Sequence, residues 1–139
     1  MHFFDFLVVK RIISRAGELH FCRWRLLQTP WFGLYIHQIC RSDEEKDPHD
    51  HPWWFASFVI SGGYVEKIWD ETGVREARRP PGAFLSHRTT DFHKITLLDG
   101  PAWTLVVTGR RTHDRWGYLT DSGWVDSVSY RREKNANAL

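Results

Sequence analysis

The sequence predicts an all-β protein, and two observations carry that prediction. Short apolar runs alternate with Gly, Pro or Asp turn signals along most of the 139 residues. The chain also has 8 Trp and 9 Phe, which strands accommodate better than helices do. Short strands at regular spacing, with almost no helical periodicity, indicate an antiparallel sandwich or barrel.

The first 30 residues are predicted to form an N-terminal extension ahead of the main domain. Residues 3–13 are apolar on most sides and fit a short helix or an edge strand equally well. Residues 19–27 mix arginine with aromatic and aliphatic residues and fit a strand, which Thr29 and Pro30 end. The choice between helix and strand for residues 3–13 stays open at this point.

The main domain is predicted to span residues 31–130 and to consist of paired strands. The predicted strands are 31–40, 53–60, 64–69, 83–86, 93–97 and 103–108, followed by an alternating segment at 115–130. Strands 53–60 and 103–108 are apolar on both faces, as expected where one face looks into a barrel and the other is covered by a sheet or a second subunit. Residues 131–139 are predicted to be a flexible tail.

The strongest chemical signal is the pair His49 and His51, just before the apolar strand 53–60. Residues two apart on a strand point to the same face, so both imidazoles project together while Asp50 points away. A divalent transition metal takes such a fixed pair of neutral nitrogen ligands. A chance pair at a polar strand end is the alternative, and the pair alone does not decide between them.

Two later histidines are further candidates for the same metal site. His93 shares its strand parity with the apolar Ile95 and Leu97, so it faces inward if that face is the buried one. His87 follows the short strand 83–86. Both therefore stand at strand ends on the same half of the chain.

Supporting residues surround these histidines in the sequence. Asp50 and Asp91 are carboxylates that can accept the free N–H of a ligand histidine and fix its orientation; a turn or surface acid is the alternative for each. Tryptophan stacks on planar rings, and the guanidinium of arginine matches carboxylate geometry. The predicted ligand-binding residues are His37, Trp53, Arg88 and Arg110, with core or surface roles as their alternatives.

The order of these features resembles the cupin superfamily. The first cupin motif has HxH and a later Gly, and the second has Pro-Gly and then His. The matching residues, within about residues 31–110, are His49, His51, Gly62 or Gly63, Pro81-Gly82 and His93. The resemblance implies a cupin-type double-stranded β-helix, a jelly-roll barrel with its site in the mouth. The HDHPWW and GGY stretches are also similar to those of small cupins from bacteria and phages.

One departure from the cupin pattern changes the expected metal ligands. Where a typical cupin has its glutamate ligand, this chain has Phe55 and Ala56. The resemblance then implies a centre formed by the HxH pair and His93, similar to that of thiol dioxygenases, with His87 as a fourth ligand or a supporting group. Iron is the implied metal, with Zn and Ni as alternatives. The cysteine that cysteine dioxygenases can carry after HxH is missing, which argues against cysteine as substrate.

Two functions of different classes follow from this site. The first is a mononuclear iron oxygenase acting on a small polar molecule, since three protein ligands leave coordination positions open. The second is a non-catalytic barrel that binds or sequesters a small anionic ligand, and a structural interaction module is a third. GxSxG, Walker-type and GxGxxG motifs are absent from the sequence, which argues against those enzyme classes.

Composition limits the partners and the location. The net charge is +2, and the basic residues form no continuous stripe of the kind that binds nucleic acid. No apolar run approaches the ~20 residues needed to span a bilayer. Cys22 and Cys40 form no CxxC pair and are interpreted as buried thiols of a reducing cytosol. The sequence predicts a cytoplasmic protein without nucleic-acid or membrane partners, and its doubly apolar strands predict a homodimer.

Overall fold

The fold is described from a computed structural model, which covers residues 8–13, 19–43, 46–98 and 100–137. Strands predominate in these residues, which confirms the all-β prediction. The elements are β1 (Val8–Ile13), β2 (Leu19–Gln28), β3 (Gly33–Ile39), β4 (Phe55–Ser61), β5 (Tyr64–Asp70), β6 (Gly73–Arg79), β7 (Phe84–His87), β8 (Phe92–Leu97), β9 (Ala102–Thr108), β10 (Gly117–Thr120), β11 (Gly123–Asp126) and α1 (Ser127–Asn137).

The described strands form a larger and a smaller antiparallel sheet and a hairpin. The larger sheet has the order β1-β2-β3-β9-β4-β7, and the smaller has the order β6-β5-β8. The hairpin consists of β10 and β11. Neighbours such as β3 and β9 are far apart in the chain, so the larger sheet is assembled mainly from long-range pairs.

The core lies where side chains from the two sheets meet. Tyr35 and Ile39 of β3 are buried together with Val59 of β4 and Val106 of β9, and Tyr64 joins them from β5. Period-2 alternation explains this arrangement, because residues two apart on a strand share a face. One face of each sheet is therefore apolar and inward, and the interior between the sheets is the place for a buried site.

The N-terminal segment adds an edge strand to the larger sheet. Residues 8–13 form β1, which pairs antiparallel with β2, so the strand alternative holds for them. β2 in turn pairs with β3 over most of its length. The other parts of the predicted extension, residues 1–7 and 14–18, lie outside the described residues.

The C-terminal segment is helical where the sequence predicted a strand end and a tail. Residues 127–137 form α1, and Asp126 accepts a hydrogen bond from the Ser129 N–H at 3.3 Å, as an N-cap residue does. Tyr130 stacks on Tyr118 of β10 at 3.9 Å between ring centroids and donates to Asp47 at 3.0 Å. The helix is polar on most sides, and these aromatic contacts hold it against the hairpin. Within the described ranges, no helix has the length and hydropathy to cross a membrane.

Gly62 makes the tight turn between β4 and β5 possible. Its φ is +77°, a conformation that residues with a Cβ atom rarely adopt. A Cβ built on Gly62 would also lie only 2.3 Å from the carbonyl oxygen of Pro101. The turn therefore depends on glycine, and it sets where the inward residues of β5 begin.

Candidate metal centre

The HxH segment is held between β8 and β10 by its backbone. The N–H of His49 donates to the carbonyl of His93 at 3.0 Å, and the N–H of His93 donates back at 2.9 Å. On its other side His49 forms a bridge to Tyr118. This ladder places His49 directly beside His93, although the two are remote in sequence.

Three imidazoles meet at this point. The ring centroids are 5.1 Å apart for His49 and His51, 4.6 Å for His49 and His93, and 5.0 Å for His51 and His93. One nitrogen from each ring can be chosen so that all three lie within 4.8 Å of one another. The structure thus brings together the three histidines that the sequence singled out.

A buried glutamate that the sequence analysis missed completes the centre. Glu66 of β5 is 0 % exposed. Its Oε2 lies 2.6 Å from Nε2 of His87 and 2.6 Å from Nδ1 of His93. Its Oε1 accepts hydrogen bonds from Nε of Arg79 at 3.1 Å and from a terminal nitrogen of Arg79 at 3.0 Å. Both carboxylate oxygens are therefore bonded to protein groups.

The position of Glu66 corrects the expectation that the centre lacks a carboxylate. The residues after HxH, Phe55 and Ala56, indeed carry no ligand atom, and Phe55 stacks on the ring of His51 at 4.7 Å between centroids. The acid comes from the next strand instead. Its parity with the buried Tyr64 and Ile68 is a signal that could have identified it.

The charge of Glu66 determines the tautomer of His93. Burial would raise the pKa of Glu66, but the hydrogen bonds from His87 and His93 outweigh it and hold that pKa well below its usual range. An ionised carboxylate only accepts hydrogen bonds, so Nδ1 of His93 carries the proton. In the neutral ring, Nε2 of His93 then has the free lone pair.

The free nitrogen of His93 fits a metal ligand. Nε2 is buried and has no hydrogen-bond partner among the described residues. Buried polar atoms are ordinarily paired, so an unpartnered nitrogen beside two further imidazoles suits a ligand of a divalent cation. The opposite ring nitrogen already bonds a carboxylate, as is usual for metal-ligating histidines.

The two histidines of the HxH pair are held neutral, which is the state that binds metal. Burial is the main cause that lowers the pKa of His49 to about 4. Burial is also the main cause that lowers the pKa of His51 well below its usual value. At neutral pH both rings therefore present lone pairs.

His87 contacts Glu66, and its ring lies 5.0 Å from that of His93 between centroids. Its Nδ1 is 3.7 Å from Oδ2 of Asp91, so that acid lies beside His87, and a supporting role for Asp91 stays a prediction. Glu66, His87 and His93 also offer ligand atoms within 4.8 Å of one another. The centre thus contains a second possible ligand group, which shares His93 with the first.

Asp50 does not support a ligand histidine. Its carboxylate accepts hydrogen bonds from the Gly117 N–H at 2.7 Å and from Nε1 of Trp124 at 3.1 Å. The reason is the parity noted in the sequence, because a side chain between His49 and His51 points away from the site. Asp50 therefore holds the β10–β11 hairpin instead.

The predicted ligand-binding residues are dispersed. Trp53 is half-buried under the guanidinium of Arg111, at 5.7 Å from the ring centroid. Arg88 is exposed and forms an ion pair with Asp91 at 3.3 Å, and Arg110 is exposed. No contact within the described ranges joins Trp53, Arg88 or Arg110 to the three-histidine group. His37, by contrast, lies on the inward side and accepts a hydrogen bond from Arg23 at 3.0 Å.

Comparison with known proteins gives fold-level similarity. No protein-family model and no curated protein matches the sequence. Solved structures match: Fe(II) HppE has a TM-score of 0.61 and 17% identity, covering 73% of this chain and 56% of that one. Hydroxypropylphosphonic acid epoxidase from S. wedmorenis has a TM-score of 0.55 and 20% identity, covering 71% and 55%. DMSP lyase DddQ from Ruegeria pomeroyi DSS-3 has a TM-score of 0.53 and 16% identity, covering 81% and 51%.

The likeness concerns the fold, since the identities are low and this chain spans about half the length of those proteins. It agrees with the HxH and Pro-Gly motifs of the sequence and with the two antiparallel sheets of the structure. The prediction drawn from the motifs is thereby confirmed: the chain has the cupin fold, a double-stranded β-helix.

Proposed function

We propose that this chain is a metal-dependent enzyme in which His49, His51 and His93 hold a divalent transition metal. The observation that carries the proposal is the buried Nε2 of His93, which has a free lone pair and no partner among the described residues. It is grouped with two imidazoles that burial keeps neutral. Three protein ligands leave room for a small molecule at the same ion.

The other residues of the centre orient the ligands. Glu66 accepts the Nδ1–H of His93 and makes its Nε2 a stronger donor to a cation. His87 and Arg79 hold Glu66 in place through its two oxygens. These contacts support a site whose geometry exists before any ion enters.

Aromatic side chains limit the access of water to the ligands. Phe55 stacks on His51, and the ring of Trp116 meets His49 edge-on at 5.9 Å between centroids. Exclusion of water strengthens electrostatic interactions inside a site. We therefore place substrate binding on the inward side of these rings.

Iron is the metal that we propose, with Zn and Ni as alternatives, and oxygenation of a small polar molecule is the proposed reaction. A bound metal of this kind supplies Lewis acidity and, for iron, one-electron chemistry. The similar HppE structure is that of an Fe(II) protein, which supports iron. A cytoplasmic location, a homodimer and a main domain at residues 31–130 belong to the same proposal.

A non-catalytic protein that binds or sequesters a small anionic ligand is the second candidate. The hydrogen bonding of Glu66 favours it, because both oxygens already have partners in His87, His93 and Arg79 without any ion. Protein side chains alone therefore satisfy the hydrogen bonding of Glu66. Metal content separates the two candidates.

The test is elemental analysis of untagged protein beside a His49→Ala, His51→Ala double variant. About one equivalent of metal in the wild type that is absent from the variant supports the proposal. His113→Ala is the matched control, since His113 is exposed and its ring bonds the hydroxyl of the neighbouring Thr112. Oxygen uptake with small thiols and acids then tests the reaction.

Two results would contradict this assignment. Equal metal content in the wild type and the double variant would show that the HxH pair does not bind the metal. Loss of metal in His87→Ala, with full retention in the double variant, places the ion between Glu66, His87 and His93 instead.

A further inference from the structure

Arg23 lies on the inward face of the larger sheet. It is the register partner of His37 across β2 and β3, and His37 shares its parity with the core residues Tyr35 and Ile39. The guanidinium stands over the ring of Tyr35 at 4.9 Å and near the ring of Phe21 at 5.7 Å. Its stem and head are thus packed among core side chains.

Only one side of this guanidinium has a protein acceptor. Nε donates to Nε2 of His37 at 3.0 Å. Among the described residues no carboxylate pairs with Arg23, and neither terminal nitrogen has an acceptor. Arg79, which reaches the interior from β6, is by contrast paired with Glu66. Arg23 is therefore a half-buried cation whose two terminal nitrogens have no acceptor among the described residues.

The hydrogen bond to His37 fixes the direction of those donors. Burial, followed by the charge of Arg23, lowers the pKa of His37 well below its usual value, so the imidazole accepts as a neutral ring. Arginine stays protonated in proteins and has five N–H donors in a planar fork. With Nε held by His37, the two terminal nitrogens of the fork remain as donors for a further acceptor.

Arg23 and the histidine group pack against the same core cluster. Tyr35, on which Arg23 is stacked, and Phe55, on which His51 is stacked, belong to one core cluster. A small molecule at the histidines is thus within the field of this cation.

We propose that Arg23 binds the oxyanion of a small anionic ligand, such as a carboxylate, with His37 as its positioning residue. Because this names the substrate class of the metal centre, it rests on the proposed function. A carboxylate takes two parallel hydrogen bonds from a guanidinium. It also supplies the negative charge that a buried cation requires.

The probe is sodium acetate, titrated into protein labelled with 15N-arginine and followed by the side-chain Nε–H resonances. We expect a saturable shift of the Arg23 resonance, which is identified by its absence in Arg23→Lys. Calorimetry gives the acetate affinity of every variant, because the Arg23 variants lack this resonance. Loss of charge-assisted hydrogen bonds in Arg23→Met should weaken acetate binding about tenfold or more. Arg75→Met is the matched control, because Arg75 is exposed and paired with Asp70 at 3.2 Å. The acetate affinity of this variant should equal that of the wild type.

Arg23→Lys keeps the proposal testable if Arg23→Met does not fold. Lysine retains the charge and the stem but lacks the fork, so acetate binding should still be weaker than in the wild type. The role of His37 is tested by two further variants. His37→Leu should weaken acetate binding, and His37→Gln, which restores an acceptor, should recover it.

Metal content is measured on the same samples, so the two proposals fail separately. No saturable shift in the wild type, or equal acetate affinity in the wild type and a folded Arg23→Met, overturns the anion site. Acetate binding through Arg23 in protein that retains no metal refutes the metal centre and leaves the anion site standing. One equivalent of metal without acetate binding refutes the anion site alone.

Discussion

Glu66 Oε2 lies 2.6 Å from Nδ1 of His93, across a separation of 27 residues in the chain. This contact decides which ring nitrogen of His93 carries the proton and which is left for a cation. The same oxygen meets His87 at 2.6 Å, and the other oxygen meets Arg79. One carboxylate thus orders three side chains from β6, β7 and β8.

Glu66→Gln should weaken metal binding and destabilise the protein. The amide keeps the size of the side chain but loses the charge that orients His93, so metal affinity should fall about 10- to 100-fold. The unpaired Arg79 should lower the free energy of unfolding by about 3 kcal/mol or more. Competition with a metal chelator and urea unfolding of the metal-free protein measure the two effects.

The matched control for Glu66→Gln is Glu71→Gln. Glu71 is an exposed acid whose ion pair with Arg88 spans 3.3 Å, and surface pairs contribute little. Both quantities should stay near wild type in this variant. Unchanged metal affinity in Glu66→Gln would show that the contact with His93 has no part in binding.

The stability of the metal-free protein should fall on acidification below pH 6.5. His49 has its pKa lowered from 6.5 to about 4 in the folded chain, chiefly by burial. Between these values the unfolded state binds more protons than the folded state, so the free energy of unfolding decreases as the pH falls. The contribution is fully present above pH 6.5 and lost as the pH reaches about 4. The lowered pKa of Glu66 acts in the same direction below its usual value of 4.5.

Urea unfolding at about pH 7.5 and about pH 5 measures this dependence. A single such group gives a slope of at most about 1.36 kcal/mol per pH unit. The His49→Gln variant serves as the control, since it lacks the titrating ring and should show a smaller difference. Equal pH dependence in both proteins would argue against a lowered pKa of His49 in the folded protein.

Asp50→Ala should loosen the β10–β11 hairpin without removing metal. The substitution leaves the buried Gly117 N–H and the Trp124 indole without their acceptor, at a cost of about 1–3 kcal/mol. Hydrogen exchange should therefore quicken in β10 and β11. If Asp50→Ala loses as much metal as His51→Ala does, then Asp50 supports a ligand histidine.

The homodimer predicted from the sequence has a specific candidate surface. On the outer face of the larger sheet, Phe58, Ile60 and Phe84 are 43%, 47% and 69% exposed, and Phe58 and Phe84 are register partners on β4 and β7. Contiguous exposed apolar side chains mark interaction sites. We expect a dimer in light scattering at micromolar concentration and a monomer for Phe84→Glu. Only monomer in the wild type would contradict the prediction.

The control for the dimer is Val74→Glu, on the exposed β6 at 56% exposure. It adds the same charge to an apolar position on the smaller sheet. The two variants should differ in oligomeric state and agree in metal content.

Strand parity explains which features of the site could be predicted from the sequence. It placed His49 and His51 on one face, Asp50 on the other, and His93 inward with Ile95, because each of these statements concerns neighbours along one strand. The all-β class followed in the same way from short runs and turn residues. α1 was missed, since its sequence is polar and its place depends on Tyr130 packing on Tyr118.

The sequence by itself determined the fold class, the HxH pair and the inward parity of His93, all of which depend on local spacing. Only the tertiary structure decided that Glu66 meets His87 and His93, and that Arg23 shares the interior with the histidines. Parity shows which face of a strand a residue occupies, but not which strand lies opposite. Here that depends on long-range pairing such as β5 with β8, whose energy comes from packing across the whole chain.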